Sequence, residues 1–307
     1  MFNNTDKRYN QYSAYMKNKF GVKVYKVTLD AGFSCPNRDG KISSGGCIFC
    51  DESGSFSQAH SNLLPIEKQL EVGIETLSTR FKAKKFMSYF QAYSNTYAPV
   101  NELEKIYKSA LNHPDVVGLS IGTRPDCVDE EKLKMIASFK DDYYTWVEYG
   151  LQSAHEKTLK LINRGHDFDC FRRAVEKTRE KGINVCAHVI LGLPDESRED
   201  MLYTAKKLAE LGVNGVKIHM LCILEGTKLQ KEYELGKISL ISEDDYINTV
   251  CDFLELLPKE TTIHRLAGNG LKKELIAPRW IGKKLDSLNK IDRELERRNS
   301  HQGFLYK

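Results

Sequence analysis

No apolar run in this 307-residue chain is long enough to cross a bilayer, and its first ten residues, MFNNTDKRYN, lack the apolar core of a signal peptide. Both absences argue against a membrane or secreted protein, and the chain reads as cytoplasmic. Thiols stay reduced in that compartment, so a disulfide framework drops out and the eight cysteines read as metal ligands or small buried residues. No low-complexity tract or linker interrupts the chain before about residue 258. Strong net charge is missing too, since the formal total is only +4. Its distribution is nevertheless uneven: residues 1–26 carry six Lys/Arg against one Asp, and residues 272–298 carry nine against five Asp/Glu. Basic ends on a mildly acidic body suit a polyanionic partner, or they are solvated helix faces.

Apolar residues make up 41% of the chain, enough for one large core. Short β-branched runs read as strands over 23–30, 86–93, 116–123, 144–152, 183–193 and 215–224. Between them, helical periodicity covers 66–82, 101–111, 129–138, 168–181 and 198–211. This alternation predicts an α/β fold with a parallel sheet. Six βα units fall short of the eight of a closed barrel, so the expected fold is a partial (β/α)6 barrel of the TIM type, open on one side. The expected divisions are a basic N-terminal extension (1–22), the barrel (23–257), and a C-terminal strand, turn and basic helical tail (258–307) packed on it.

Chemistry in parallel α/β folds collects at the carboxyl ends of strands. Directly after the first expected strand comes CPNRDGKISSGGCIFC, too rich in Gly, Ser, Asn, Asp and Pro for a regular element. Cys35, Cys47 and Cys50 can share one metal centre, with Gly45-Gly46 turning the backbone just before the Cys-x-x-Cys pair. Zinc would need a fourth ligand, and His60 is the nearby imidazole. A four-iron, four-sulfur cluster on three thiolates would leave one iron open, which makes it a reaction site.

Further strand ends add candidates. FQAYSNTYAP carries Gln91 and Tyr93, and GTRPD carries Thr123, Arg124 and Asp126: a hydroxyl, a guanidinium fork and a carboxylate on a Pro-stiffened turn. The alternative there is a helix cap by Asp129 with a surface ion pair. Glu148 and Gln152 in VEYGLQS are four apart and share one face of a strand, where burial is costly unless they are paired. Arg164 in NRGH is a candidate anion binder. In HVILGLPDES, Gly192 allows close backbone approach and Ile190 offers an apolar face; His188 reads as a core histidine. Ile223 and Leu224 close the list at the sixth strand end. Cys127, Cys170, Cys186, Cys222 and Cys251 form no close pair, and Cys127 is the one near enough in sequence to reach the site.

KRYN…KFGVKVYKVTLDAGFS followed by the three-cysteine loop resembles the radical S-adenosylmethionine (SAM) group named after YhcC and YtqA, itself similar to the radical SAM domain of the Elongator catalytic subunit. The resemblance covers roughly residues 5–270. It implies a [4Fe–4S] cluster on Cys35, Cys47 and Cys50, with SAM on the open iron. It implies that Gln91-Ala92-Tyr93 meets the SAM amino group, that Thr123, Glu148 and Gln152 serve ribose or substrate, and that Arg164 takes the SAM carboxylate. Ile190, Gly192, Ile223 and Leu224 would approach adenine, and Arg124, Asp126 and Gln152 would act on substrate. An electron donor such as a flavodoxin or ferredoxin follows from such chemistry. The Elongator likeness points to tRNA, and specifically to conversion of wobble 5-carboxymethylaminomethyl-2-thiouridine to 5-aminomethyl-2-thiouridine. Tyr9, Tyr12, Tyr15 and Phe20 interleaved with lysines, and Arg279, Trp280, Lys283 and Lys284 in the tail, fit an RNA-binding surface or a helix packed on the barrel. Two other readings stand beside this one: a radical SAM enzyme acting on a small metabolite or protein side chain, and a zinc-stabilised, non-catalytic RNA-binding protein.

Overall fold

The computed structural model describes residues 6–51, 64–268 and 274–307. In chain order the elements are α1 (Tyr12–Phe20), β1 (Val24–Leu29), α2 (Ile66–Phe81), β2 (Lys85–Phe90), α3 (Val100–Leu111), β3 (Val116–Thr123), α4 (Glu130–Ala137), β4 (Tyr144–Gln152), α5 (Glu156–Leu161), α6 (Phe168–Glu180) and β5 (Asn184–Leu191). They continue with α7 (Arg198–Leu211), β6 (Gly215–Met220), β7 (Ile223–Leu224), α8 (Lys228–Glu234), α9 (Glu243–Leu256), β8 (Thr262–Arg265), β9 (Leu275–Ala277) and α10 (Lys284–Arg297). Seven strands form one parallel sheet in the order β1-β2-β3-β4-β5-β6-β8. The sheet curls into a half-barrel, and α2, α3, α4, α6 and α7 follow its strands as crossover connections require. Local signals set these helices: Asp129 caps α4, Asp167 caps α6, and Ser197 and Asp200 form a capping box on α7.

Two strand expectations change. The barrel has a seventh parallel strand, β8, paired with β6. The expected sixth strand splits: β6 stops at Met220, and β7 turns out of the sheet to pair antiparallel with β9. Tertiary pairing with a segment about fifty residues downstream decides this, so no local pattern announces it.

The chain ends join the barrel core. Tyr9, Ile291 and Leu295 belong to the same buried cluster as the strand residues Leu29, Ile121 and Val185. Gln302 accepts the Asn10 N–H at 2.9 Å and donates to Pro258 and Thr261 carbonyls, tying both termini to one end of the sheet. Helix α1 closes that end. Tyr12 packs on His264 and Trp146, and Tyr15 and Phe20 pack on Tyr144. These aromatic rings seal the barrel instead of offering faces to bases. Much of the terminal positive charge is also compensated internally: Lys7 pairs with Asp292, Lys290 with Glu243, and Arg298 with Asp252, Glu255 and Glu294. Among the described residues, no helix is long and apolar enough to cross a membrane.

Candidate active site

The three-cysteine loop leaves the carboxyl end of β1 and is held by polar ties. Gly45 and Gly46 adopt φ of 81° and 76°, a left-handed pair that a side chain would strain. Asn163 donates to the Gly46 carbonyl at 2.8 Å, and Asn37 donates to the Asn163 carbonyl at 2.6 Å. The sulfurs receive N–H groups: Cys47 Sγ lies 3.5 Å from Arg164 Nη1 and 3.6 Å from Asn37 Nδ2, and Cys50 Sγ lies 3.6 Å from Arg38 Nη1. All three cysteines line one cavity of about 720 Å³ at the strand ends, a volume suited to a cofactor plus part of a substrate. Soft thiol ligands with cationic N–H donors behind them fit an iron–sulfur cluster.

Most residues expected at the site converge on this cavity: Gln91, Tyr93, Thr123, Arg124, Glu148, Gln152, Arg164, Ile190 and Leu224 all line it. A bulge between Gly150 and Gln152 keeps Gln152 on the inner face with φ of 80°. Three expected residues stand elsewhere. Asp126 turns back to grip Arg124, with oxygens 2.8 Å from Nε and 2.6 Å from Nη2. Burial opposes the Asp126 charge, but the guanidinium fork overrides it and keeps the carboxyl below its usual range. Gly192 gives its N–H to Met201 Sδ at 3.2 Å and faces Ile241, not the cavity. Ile223 is fully buried in a satellite core and paired in β7 with Ala277. Asp129 does cap a helix, but the Arg124–Asp126 pair is buried rather than on the surface. Cys127 sits behind Asp126 outside the cavity, whereas Cys222 lines it.

Deeper in the barrel lies a charged cluster that the sequence reading missed. Glu148 is fully buried and meets Lys26, Lys217 at 3.5 Å, His188 at 2.7 Å and Ser120 at 2.5 Å. Burial opposes ionisation of Glu148, but Lys26, Lys217 and His188 outweigh it and hold its carboxyl well below the usual range. Burial, aided by Lys217, pushes His188 down to about 4. Burial also lowers Lys217 to about 7, with Arg265 and Lys26 adding to the effect against the pull of Glu148. Glu148, Cys186 and His188 come close enough to share an ion, yet two ammonium groups already occupy that carboxylate. Lys26, Lys217 and His219 left a signal, since each is a basic residue in the middle of an otherwise apolar strand. A position inside a barrel demands a partner or a ligand for such a group.

Comparison with known proteins agrees with this geometry. The Radical SAM superfamily model matches residues 39–224, and the Radical_SAM C-terminal domain model matches residues 213–297. YtqA of Bacillus subtilis, named as uncharacterized, is 45% identical over 305 residues, spanning 99% of this chain and 95% of that protein. The tRNA uridine(34) acetyltransferase of Methanocaldococcus infernus is 28% identical over 173 residues, which cover 54% of this chain and 31% of that one. The structure of Methanocaldococcus infernus Elp3 with an N-terminal deletion superposes with a TM-score of 0.69 at 18% identity, covering 91% of this chain and 64% of that chain. That superposition establishes the shared half-barrel. These matches overturn the reading of a non-catalytic zinc protein, and His60, its fourth ligand, lies outside the described residues. The chain therefore belongs to the radical SAM superfamily, in the group of YtqA and YhcC, and is an enzyme of the class that works with a [4Fe–4S] cluster and S-adenosylmethionine.

Proposed function

We propose that this enzyme modifies tRNA, converting wobble 5-carboxymethylaminomethyl-(2-thio)uridine to 5-aminomethyl-(2-thio)uridine. The observation that carries the reading is the cavity itself, with three thiols in its wall and an excess of basic groups in its depth. A substrate with a carboxylate on a flexible arm fits that polarity, and the relative named tRNA uridine(34) acetyltransferase supports a wobble uridine. In this reading Cys35, Cys47 and Cys50 hold the cluster. A cluster and SAM held there would supply radical hydrogen-abstraction chemistry, and the cavity residues would present to it the CH2 between amine and carboxylate of the substrate.

The chain's own residues orient and enclose. Arg164 anchors to the Gly150 carbonyl through Nε at 3.2 Å and Nη2 at 2.5 Å, which leaves its outer face for the SAM carboxylate. Gln91 and Tyr93 border the amino end, Thr123 and Gln152 the ribose, and Ile190 and Leu224 the adenine. Among the described residues Arg124 Nη1 has no hydrogen-bond partner, so it can take one more acceptor beside the thiols. Ile281, from the segment before α10, closes the cavity wall. An electron donor such as a flavodoxin or ferredoxin completes the reading.

Two tests address it. In a deletion strain, nucleoside mass spectrometry of bulk tRNA should show the carboxymethylaminomethyl nucleoside accumulating and the aminomethyl form lost. Unchanged uridines would remove tRNA and leave a small metabolite or protein side chain as substrate. Separately, a Cβ at Gly150 would sit 2.6 Å from Arg164 Nη2 and 2.8 Å from Gln152 Nε2. Gly150→Ala should displace both groups and weaken SAM binding to the cluster-loaded protein by roughly 10- to 100-fold, the worth of a charge-assisted contact. Calorimetric titration reads this, and unchanged SAM affinity would refute the Arg164 role.

A further inference from the structure

Three basic side chains stand in register across adjacent strands at the base of the cavity. His188 on β5 is the Cα partner of Lys217 on β6, and Lys217 is the partner of Arg265 on β8. All three line the cavity. Like charges side by side on neighbouring strands repel, and the carboxylate beneath them cannot serve all. Glu148 is already engaged by Lys26, His188 and Lys217. Arg265 has no hydrogen-bond or ion-pair partner among the described residues. Around it are His219 and Lys284, both lowered chiefly by burial with the Arg265 charge adding to it, together with Tyr89 and Tyr246. Tyr89 donates no negative charge here; its hydroxyl receives Lys217 Nζ at 2.6 Å. A half-buried guanidinium beside a buried lysine, with Glu148 already engaged and Asp51 at the cysteine loop as the other acid lining the cavity among the described residues, lacks an ion-pair partner at the base.

The geometry points to Lys217 and Arg265 as a carboxylate-binding subsite that fixes the anionic end of the substrate at the base of the barrel. This deepens the tRNA reading, on which it rests only for the identity of the molecule bearing the carboxylate. Arg124, which the resemblance implies acts on substrate, is less suited to hold that carboxylate. It stands at the cysteine end of the cavity, close enough for Cys35 and Cys47 to act on its charge, and Asp126 already holds two of its nitrogens. An anion at the base would supply the compensating charge that burial denies Lys217. It would also aim the adjoining C–H bonds back toward the cysteine loop. Charge at the base thus sets specificity, selecting an acid over its neutral analogue.

The test uses small probes and the complete enzyme. Anaerobically reconstituted protein with SAM is titrated with N-benzylglycine and with its amide, N-benzylglycinamide, and binding is followed by calorimetry or ligand-observed NMR. The acid should bind roughly 10- to 100-fold more tightly than the amide, the range expected of a charge-assisted pair. Arg265→Gln and Lys217→Met should each bring the ratio towards one. Arg265→Lys should retain most of it, which separates lost charge from lost folding. Equal binding of acid and amide by the wild type, or an undiminished ratio in both neutral variants, overturns the subsite. A ratio that behaves as expected while nucleosides in the deletion strain stay unchanged keeps the subsite and rejects tRNA as its source.

Discussion

Cys47→Ala protein, purified without oxygen, should lack a stoichiometric four-iron centre and release no detectable 5′-deoxyadenosine from SAM and a strong reductant. The sulfur of Cys47 is the most enclosed of the three: the residue is only 6% exposed, and it alone receives N–H groups from both Arg164 and Asn37. Those donors orient the ligand, as outer groups do at metal centres generally. With two thiolates left, a cubane loses the anchor that joins the loop to the barrel wall. Cys251→Ala is the matching control. Its thiol is fully buried between α9 and α10, facing the Ile291 carbonyl at 3.8 Å, far along the chain from the loop. That variant should keep iron and SAM cleavage. Iron and sulfide analysis with electron paramagnetic resonance reads the first property, and chromatography of 5′-deoxyadenosine the second. A Cys47→Ala enzyme holding about four irons and cleaving SAM would show that these three thiols are not the ligand set.

Glu148→Gln should destabilise the fold by about 3–5 kcal/mol, the cost of breaking a buried ion pair by removing one partner. Among the described residues this carboxylate is the acid set among Lys26, Lys217 and His188, and an amide leaves those basic groups in the barrel without their counter-charge. Denaturant unfolding measures the loss. The pH dependence carries a sign. Lysines and His188 hold the folded carboxyl well below its ordinary 4.5, so its contribution is complete above that value. It is lost as pH falls through the folded pKa. The gap between wild type and variant should widen as pH falls through about 7, where Lys217 takes up its proton beside Glu148 in the wild type only, and should narrow in acid below the ordinary carboxyl value. Adding Lys217→Met to Glu148→Gln should restore part of the stability, because the second change removes one uncompensated cation. Wild-type stability in Glu148→Gln would mean that the lysines need no counter-charge.

The strands were legible because buried β-branched runs such as VVGLSIGT and YTWVEYGLQ lie between helices with ordinary caps. β3 and β4 run over 116–123 and 144–152, as their patterns predict. The cysteine loop was legible for a different reason. Three thiols at tight spacing in a Gly-rich segment have few other uses, and their position after β1 follows from α/β architecture. Gln152 and Glu148 were legible as costly polar groups on one face of a strand, and Arg164 as a candidate anion binder through the resemblance. Lys26, Lys217 and Arg265 were harder, because each belongs to a separate strand and only sheet register brings them together. His188 reads as a satisfied core histidine until Glu148 is seen 2.7 Å away. The aromatic series in α1 stayed open between RNA and barrel packing for the same reason: Tyr12 and Tyr15 next to lysines suit both until Trp146, Tyr144 and His264 are found beneath them.

By itself, then, the sequence determined the α/β alternation, the loop that carries the thiols and the strand ends where partners for a cofactor must lie. Periodicity, capping and ligand spacing are all local, and each is written within a few dozen residues. Only the tertiary structure decided that a seventh strand completes the sheet, that α1 seals one end of the barrel, and that three basic side chains stand abreast over a single carboxylate. Those outcomes depend on register and on which faces meet across long stretches of chain, and burial then gives a charge its cost or its use.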